Sequence, residues 1–205
     1  MNTVERYFPD LTPLQRDRFA ALAPLYRDWN AKINVISRKD MDSFYEHHVL
    51  HSLAVAKAVR FPEGATVLDL GTGGGFPGIP LAILFPEVRF TLCDSIGKKI
   101  RVAAAVAASL GLENVETVNA RVETLPACYD YVVSRAVAPL SDLYGWVKGR
   151  FSHSLICLKG GEVEAEAEAC IARHRLSPER FTFCEIAMWY REPWFEGKKL
   201  VILAQ

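Results

Sequence analysis

A glycine-rich segment constrains the fold of this chain more than any other feature. Thr66–Leu70 is a short apolar run interrupted by Asp69, and a second apolar run begins near Pro80. Glycines stand between the two runs at alternate positions, Gly71, Gly73 and Gly75. This order predicts a buried strand, a tight turn with positive φ and a helix that opens on proline. Glycines also let a ligand approach the main chain closely, so the segment indicates an α/β sheet with a nucleotide-like cofactor at its edge.

The register of the glycines distinguishes between two cofactors. A dinucleotide pattern, G-x-G-x-x-G, occurs at Gly73, Gly75 and Gly78. That pattern should open the turn directly after the strand, whereas here the turn opens at Gly71 and Phe76 stands in the third-glycine position. The carboxylate of Asp69 suits the ammonium and sulfonium end of S-adenosylmethionine and would repel a pyrophosphate. The next apolar run ends at Asp94, which is placed to accept hydrogen bonds from ribose hydroxyls. We therefore favour S-adenosylmethionine over a dinucleotide, and over a turn that holds no ligand.

Composition indicates one ordinary α/β domain. Of the 205 residues 50% are hydrophobic and 23% charged, and 24 basic and 24 acidic residues give a net charge of zero. Any basic face for a nucleic acid must therefore be local. The five cysteines are dispersed without a C-x-x-C pair, so we expect no metal site, disulfide framework or catalytic cysteine. Neither a signal-peptide pattern nor an apolar run of the roughly 20 residues that span a membrane is visible, so we expect a cytoplasmic protein.

Strand-like and helix-like runs alternate from Ala65 onward. The predicted strands are Thr66–Leu70, Val88–Cys93, Val115–Asn119, Tyr131–Ser134, Leu155–Leu158, Phe181–Tyr190 and Lys199–Ala204. The predicted helices among them are Pro80–Phe85, Lys98–Leu110, Leu140–Gly149 and Val163–His174. This order predicts a Rossmann-like α/β fold with a seven-stranded, mostly parallel sheet and a C-terminal antiparallel hairpin. Residues 1–60 contain a helical pattern from Leu14 to Trp29 and another over Asp40–Val59. We expect them to form an N-terminal helical extension packed on a core of residues 61–205.

Three polar clusters follow predicted strands, at the edge where open α/β sheets bind ligands. A basic cluster in one helical turn follows Asp94 and consists of Lys98, Lys99 and Arg101. Such a run is often only a solvated helix face. Asn119–Glu123 follows the third strand, where backbone N–H groups can read an adenine edge unless this is an ordinary surface turn. Ser134–Pro139 follows the fourth strand and contains Arg135, whose guanidinium can bind a phosphate or a base edge. A buried pair with a core carboxylate is the alternative for that arginine.

Two catalytic patterns are missing from the turn after the fourth strand, which faces the acceptor in a methyltransferase. It has no Asn/Asp-Pro-Pro-Tyr/Phe to hold an exocyclic amine and no Pro-Cys nucleophile for a pyrimidine carbon. Three histidines, His47, His48 and His51, lie within five residues, but no carboxylate or cysteine completes a metal set, and we expect no metal. We expect His48 and His51 to form hydrogen bonds or to line the acceptor site.

Together these segments resemble the bacterial 16S rRNA guanine-N7 methyltransferase family, historically called glucose-inhibited division protein B. The matching motifs are W-N-x-K-I-N-x-x-S from Trp29, H-H-V-L-H-S from His47, D-L-G-T-G-G-G-F-P-G-I-P-L from Asp69, D-S-I-G-K-K-I-R from Asp94, A-R-V-E from Ala120, S-R-A from Ser134 and L-K-G from Leu158. As an ordered set they are highly specific. The chain departs from the family at His51, where Asp is common, and at Gly74, where Pro is common. Both departures leave the cofactor chemistry intact.

The resemblance implies transfer of a methyl group from S-adenosylmethionine to N7 of one guanine in the decoding-region loop of 16S rRNA, in the small subunit or its precursor. Guanine N7 carries a lone pair and no proton, so alignment of N7, methyl carbon and sulfur replaces acid–base catalysis. The expected cofactor contacts are Asp69, Gly71, Gly73, Phe76, Asp94, Val122, Glu123 and Arg135. The candidate RNA contacts are Lys98, Lys99, Arg101, Arg121 and Lys159. The positioning candidates are Arg135, His48 and Lys159.

Two rival functions share parts of this pattern. A small-molecule methyltransferase would have the same cofactor site with an apolar acceptor pocket and no basic rim. A nicotinamide-dependent reductase would need a pyrophosphate at the glycine turn. We expect a monomer that binds no membrane.

Overall fold

Seven strands form one mixed sheet in the order β3-β2-β1-β4-β5-β7-β6. The computed structural model describes residues 3–126 and 128–205, except for the side chain of Arg38. The strands are β1 (Thr66–Leu70), β2 (Arg89–Asp94), β3 (Val115–Asn119), β4 (Tyr129–Arg135), β5 (Phe151–Gly160), β6 (Phe181–Glu185) and β7 (Lys198–Ala204). The first five pair in parallel, whereas β7 runs antiparallel to β5 and to β6. The predicted sheet with its C-terminal antiparallel hairpin is confirmed.

Helices precede the sheet in the chain and share its core. They are α1 (Thr3–Tyr7), α2 (Pro13–Asn30), α3 (Arg38–Met41), α4 (His51–Leu53) and α5 (Val55–Ala58). Thr12 caps α2: its hydroxyl accepts from the N–H of Gln15 at 3.3 Å, and the Gln15 side chain accepts from the N–H of Thr12 at 2.9 Å. Phe19 and Tyr26 of α2 are fully buried in one cluster with Phe90 of β2. The N-terminal helices therefore bury their apolar face against the sheet.

The single helix predicted over Asp40–Val59 is interrupted in the structure. After α3 ends at Met41, the chain forms a π-helical turn at Tyr45–Leu50 before α4 begins. In that turn the N–H of His51 reaches the carbonyl of Glu46, five residues back. Helical periodicity does not reveal such a widened turn. The turn changes which carbonyl each N–H group bonds to, but it needs no particular residue types. π-turns often occur at functional sites, and this one contains two of the three histidines.

Four further helices flank the sheet. They are α6 (Gly78–Leu84), α7 (Gly97–Ser109), α8 (Leu140–Val147) and α9 (Val163–His174). In the described part of the connection from β3 to β4, the chain forms a 3₁₀ turn at Val122–Thr124 and no α-helix. The small side chains of α7 let it pack closely on the sheet, and Ala103 is fully buried. Gly111 follows α7 with φ 59°, a left-handed conformation that ends the helix.

The predicted strand Phe181–Tyr190 is shorter in the structure. It ends at Glu185, and a 3₁₀ turn at Ile186–Met188 redirects the chain. The physical reason is burial of Tyr190 beside the N-terminal helices, where its ring centre lies 4.8 Å from that of Tyr7. Within the described residues, no helix is long and apolar enough to cross a membrane.

Candidate functional site

Two adjoining cavities open at the C-terminal ends of β1, β2 and β4. The larger has a volume of about 670 Å³ and the smaller about 410 Å³. Four residues line both cavities: Gly71, Lys99, Ala136 and Val137. They come from the turn after β1, from α7 and from the turn after β4. The two cavities therefore form two halves of one site with a shared wall.

The glycine turn is joined to the end of β2 by backbone hydrogen bonds. The N–H groups of Gly71 and Thr72 donate to the carbonyl of Cys93 at 2.9 and 3.1 Å. Gly71 has φ 69°, and an added Cβ would lie 2.4 Å from a methyl group of Val137. Gly73 has φ 58°, but no atom lies within 4 Å of an added Cβ. Packing requires glycine at position 71, whereas at position 73 the space beside the backbone is open.

Asp69 lies beneath the glycine turn and lines neither cavity. Its buried Oδ2 accepts from the hydroxyl of Thr72 at 2.6 Å and from the N–H of Gly78 at 2.7 Å. Burial raises the pKa of this carboxyl to about 7, because desolvation disfavours the charged form. The structure therefore gives Asp69 a different place from the expected contact with the ammonium end of a cofactor. It ties the end of β1 to the start of α6.

Asp94 ends β2, lines the smaller cavity and joins the glycine turn to the turn that precedes α7. Its Oδ2 accepts from the N–H of Gly73 at 2.9 Å, and its Oδ1 accepts from the N–H of Ile96 at 2.8 Å. Each oxygen has a second lone pair for a ligand hydroxyl. Val122 and Glu123, two further expected cofactor contacts, line the same cavity. Trp146 of α8 also lines this cavity, and no sequence motif indicated it.

Arg135 lies at the larger cavity and is held by the π-helical turn. Its Nη1 donates to the carbonyl of His47 at 3.0 Å, and its Nη2 lies 3.0 Å from Nδ1 of His48. The guanidinium carbon lies 5.1 Å from the centre of the Phe76 ring. Burial lowers the pKa of Arg135 to about 10, so it remains a cation at neutral pH. Its bonds go to a carbonyl and an imidazole, and no described carboxylate forms an ion pair with it.

His48 and His51 both line the larger cavity. Burial lowers the pKa of His48 to about 3, and the Arg135 cation adds to this effect. Burial also lowers the pKa of His51 well below its usual value. Both rings are therefore neutral at physiological pH. In the described part of the chain, no three His, Cys, Asp or Glu side chains are grouped to hold a metal ion.

Tyr26 and Trp194 bring distant parts of the chain to the site. The hydroxyl of Tyr26 in α2 donates to the carbonyl of Gly74 at 2.7 Å, and its ring centre lies 4.8 Å from that of Phe76. Trp194, in the connection between β6 and β7, lines the larger cavity and stacks on His47 with ring centres 4.1 Å apart. Sequence reasoning missed both residues, because aromatic residues outside a motif cannot be distinguished from core.

The W-N-x-K-I-N-x-x-S motif packs against the glycine turn through Val35, which lies beside Gly74. The Asn30 side chain accepts from the N–H groups of Val35 and Ile36, both at 2.9 Å, and donates to the carbonyl of Ile36 at 2.7 Å. This clamp holds Val35 against Gly74, where an added Cβ would lie 3.1 Å from Cβ of Val35. The motif therefore shapes the loop beside the larger cavity.

Lys159 fixes the turn after β4. Its side chain is 10% exposed and pairs with Glu166 at 2.8 Å. It also donates to the carbonyl of Ala138 at 2.6 Å, while Glu166 accepts from the N–H of Leu140 at 3.0 Å. The same turn contains Ala136, a non-glycine residue with φ 53°. The lysine and glutamate therefore clamp a loop whose backbone is strained.

The predicted RNA-contacting side chains lie in different positions around the site. Lys98 and Arg101 are exposed on α7, and Lys99 lines both cavities. Arg121 is exposed and lines the smaller cavity. These four residues, unlike Lys159, form no ion pair with a carboxylate of residues 3–126 or 128–205.

One cysteine lines a cavity. Cys93 at the smaller cavity donates its thiol to the carbonyl of Ala120 at 3.3 Å. Burial raises the pKa of this thiol to about 11, so it is not a thiolate at neutral pH. Cys128 is exposed and lines neither cavity.

The sheet order, the glycine turn and the cavities at the C-terminal edge define a class I S-adenosylmethionine-dependent methyltransferase. Magnesium protoporphyrin IX methyltransferase from Synechocystis, solved with bound S-adenosylmethionine, has the same fold with a TM-score of 0.62 at 16% identity, over 96% of this chain and 99% of that one. A SAM-dependent methyltransferase from Aquifex aeolicus gives a TM-score of 0.58 at 18% identity, over 82% and 98% of the two chains. Residues 15–186 match the GidB family, described as rRNA small subunit methyltransferase G, and this chain belongs to that family. Ribosomal RNA small subunit methyltransferase G from Bacteroides thetaiotaomicron is 53% identical over 98% of each chain.

Proposed function

We propose that this enzyme transfers the methyl group of S-adenosylmethionine to N7 of a guanine in the decoding-region loop of 16S rRNA. The observation that carries this proposal is that the described carboxylates lining the larger cavity, Asp40 and Glu166, and the His48 ring beside them are already engaged. Burial lowers the pKa of His51, at the same cavity, well below its usual value, so this ring is a weak base. His48 already accepts from Arg135, Glu166 is paired with Lys159, and Asp40 is held by Ser37 and His47. The hydrogen bond from Ser37 and that from His47 lower the pKa of Asp40, which makes it a weaker base. An acceptor atom without a proton is the one that such a site can serve.

The cofactor is assigned to both cavities. Its adenosine lies in the smaller one, with Asp94 on the ribose and Val122 and Glu123 beside the base. Its methionine end passes Gly71 and Gly73 into the larger cavity, toward Phe76 and Arg135. The Arg135 cation has no carboxylate partner among the described residues, and it suits the cofactor carboxylate. Asp69 supports the turn from below and makes no direct contact.

The methyl transfer is a direct displacement. The lone pair of guanine N7 forms a bond to the methyl carbon while the carbon–sulfur bond breaks, and its electron pair stays on sulfur. The base becomes cationic and no proton moves. Catalysis then rests on alignment of the three atoms, which an enclosed and positioned site supplies. In this scheme Arg135, His48 and Lys159 position the reactants and the loop around them.

The RNA contacts are assigned to the basic rim of the site. Lys98, Lys99 and Arg101 of α7 and Arg121 after β3 have cationic side chains beside the cavities. Lysine and arginine side chains bind phosphates without reading sequence, which suits a structured RNA target. Lys159 is assigned to the loop clamp, since its ammonium group is already paired and mostly buried.

Assembly and location follow from the same assignment. The substrate is the rRNA of the small ribosomal subunit or of its precursor, so the enzyme works in the cytoplasm. We assign it as a monomer in which residues 1–60 extend a core of residues 61–205. The buried hydrogen bond from Tyr26 to the carbonyl of Gly74 supports this division, because it joins the extension to the glycine turn of the core.

The deciding experiment maps methylated bases in 16S rRNA from cells with and without this protein. We expect one guanine to lose a methyl group when the protein is absent. Borohydride and aniline should cleave the wild-type RNA at that base, because N7 methylation leaves the ring cationic. A methyl group on an exocyclic amine, a pyrimidine carbon or a ribose would contradict the N7 assignment. Methylation of small molecules but not of RNA would favour the small-molecule alternative.

A further inference from the structure

The contact between Arg135 and His48 determines where the histidine carries its proton. A guanidinium has only donor groups, so the Nδ1 atom of His48 that lies 3.0 Å from Arg135 must be the acceptor. The ring is neutral, because burial and the neighbouring cation lower its pKa to about 3. Its one N–H group is therefore on Nε2. The chemistry of the pair thus fixes a tautomer that coordinates alone would leave open.

This Nε2–H group has no partner among the described residues. The His48 ring is partly exposed and lines the larger cavity, but Nε2 is shielded from water and makes no hydrogen bond. An unsatisfied buried donor is costly, and such groups are concentrated at functional sites. Rings flank the histidine, with the centre of Phe76 at 5.2 Å and that of Phe44 at 6.0 Å. Side chains around Nε2 have to move apart for a ligand to reach it.

We propose that the Nε2–H group of His48 donates to O6 of the target guanine and selects guanine over adenine. This rests on the proposed function and extends it to a specificity residue. The edge of guanine that presents N7 also presents O6 as an acceptor, whereas adenine presents an amino donor at that place. A donor on O6 holds the base and leaves the N7 lone pair free to attack. Against adenine, the same N–H would face another N–H.

The neutral state of His48 is part of this selection. A protonated imidazole would donate from both nitrogens and repel Arg135, so the pair would separate. A site that is built to hydrogen-bond one group rejects an analogue that lacks it far better than an apolar pocket does. The Nε2 atom of His51 is also buried at the same cavity and has no partner among the described residues. No described neighbour dictates the tautomer of that ring, so His51 does not share in this assignment.

The first test needs no protein variant. Small subunits are assembled with 16S rRNA that has guanine, 2-aminopurine or adenine at the mapped target position, and single-turnover methylation is measured. 2-Aminopurine retains N7 and lacks O6. We expect the wild-type enzyme to methylate it roughly 10- to 100-fold more slowly than guanine, the range for a buried donor left unpaired. Adenine should react more slowly still. Rates for guanine and 2-aminopurine that agree within about twofold would overturn the proposal.

The second test is a cycle that combines the base change with His48→Asn. Asparagine can accept from Arg135 in place of Nδ1 but cannot reach the position of Nε2. We expect the methylation rate of this variant on guanine to be roughly 10- to 100-fold lower than that of wild type. On 2-aminopurine the variant and the wild type should have nearly the same rate, so the effects of the two changes do not add. Its affinity for S-adenosylmethionine should stay within about twofold of wild type. His48→Gln, whose amide reaches toward Nε2, should recover part of the rate on guanine.

A matched control and two contrary outcomes complete the design. His153→Asn changes an exposed histidine of β5 that lines neither cavity, and should alter neither rate. Additive losses would show that His48 is merely structural. A large loss of S-adenosylmethionine affinity with unchanged base discrimination would assign the N–H to the cofactor. Both outcomes overturn the proposal while the mapped guanine, and with it the proposed function, still stands. If mapping shows that the methylated base is not a guanine, both fail together.

Discussion

At the scale of single residues, Gly71 and Gly73 of the turn are required for different reasons. Gly71 has a methyl group of Val137 where its Cβ would stand, whereas Gly73 has open space. Both have positive φ, which costs an L-residue roughly 1–2 kcal/mol. Substitution at Gly71 therefore disturbs the protein itself, whereas substitution at Gly73 tests how closely a ligand approaches the backbone.

Gly73→Val should abolish binding of S-adenosylmethionine, because a branched side chain would fill the space beside the cofactor. The protein should still fold, with a loss of stability on the order of 1–2 kcal/mol from the left-handed backbone. Calorimetry measures the affinity and thermal melting measures the stability. Gly64→Val is the matched control: Gly64 has φ 76° and open space around an added Cβ, but precedes β1 at the opposite edge of the sheet. Equal binding by both variants would contradict this prediction.

Asp69 should make stability depend on pH. Its pKa is about 7 in the folded protein against the usual 3.8, so between these values the folded state keeps a proton that the unfolded state has lost. This contribution to stability is fully present below about pH 3.8 and is lost as the pH rises to about 7, on the order of 4 kcal/mol in all. Thermal melting of wild type and Asp69→Asn across pH 4–8 measures it. The difference in Tm between the two proteins should change in favour of Asp69→Asn as the pH rises, and a constant difference would argue against a raised pKa.

At the scale of elements, the cofactor site is assembled by pieces that lie far apart in the chain. Helix α2 reaches the glycine turn through Tyr26, the π-helical turn holds Arg135, and α9 supplies Glu166 to the loop after β4. Each contact consists of one or two hydrogen bonds or of a hydrogen bond and an ion pair. These elements therefore hold the site residues in position, and substitutions at single contacts test how much each element contributes.

Tyr26→Phe removes the bond from α2 to the glycine turn. We expect a loss of about 1 kcal/mol of stability, because the carbonyl of Gly74 is left without its buried donor. We also expect weaker binding of S-adenosylmethionine, since the turn is no longer held. Tyr45→Phe is the control, because Tyr45 donates to the carbonyls of Phe19 and Ala20, away from the turn. If both variants bind the cofactor equally well, α2 does not support the site.

Lys159→Met and Glu166→Gln should each slow methyl transfer by loosening the loop that contains Ala136 and Val137. Because both residues belong to one network, their losses should not add in the double variant. RNA affinity should change little, since the ammonium group is already paired. Glu168→Gln, an exposed glutamate on the same helix, is the control. If Lys159→Met has a normal single-turnover rate but binds RNA more weakly, Lys159 contacts RNA and does not hold the loop.

At the scale of the whole molecule, the protein combines zero net charge with a local basic rim. Acidic residues elsewhere, such as Glu162, Glu164 and Glu168 around α9, balance the cations beside the cavities. RNA affinity should then depend on where the charges lie and not on their sum. Phosphate contacts also release counterions, so binding should weaken steeply with salt.

Lys98→Glu combined with Arg101→Glu should weaken RNA binding about tenfold or more and leave cofactor affinity nearly unchanged. It should also flatten the dependence of affinity on salt, by a slope change of about one per lost phosphate contact. The control is Arg89→Glu combined with Lys148→Glu, which makes the same change in net charge at the opposite edge of the sheet, at the first residue of β2 and just before β5. Filter binding across a salt series measures both. An equal loss of RNA affinity in the two double variants would show that RNA binding depends only on the net charge of the protein.

The amino-acid sequence by itself determined the sheet, the turn and the cofactor type. β1 and β3 have the predicted bounds, because alternating or continuous apolar runs and glycine turns are local signals. It also indicated Asp94, Val122 and Glu123 together, since the ends of parallel strands meet at one edge. The tertiary structure alone decided that Asp69 faces inward, that Lys159 is paired and that Tyr26, Trp146 and Trp194 belong to the site. The physical reason is that side-chain direction, burial and hydrogen-bond partners depend on residues distant in the chain, and no local pattern records which of them come together.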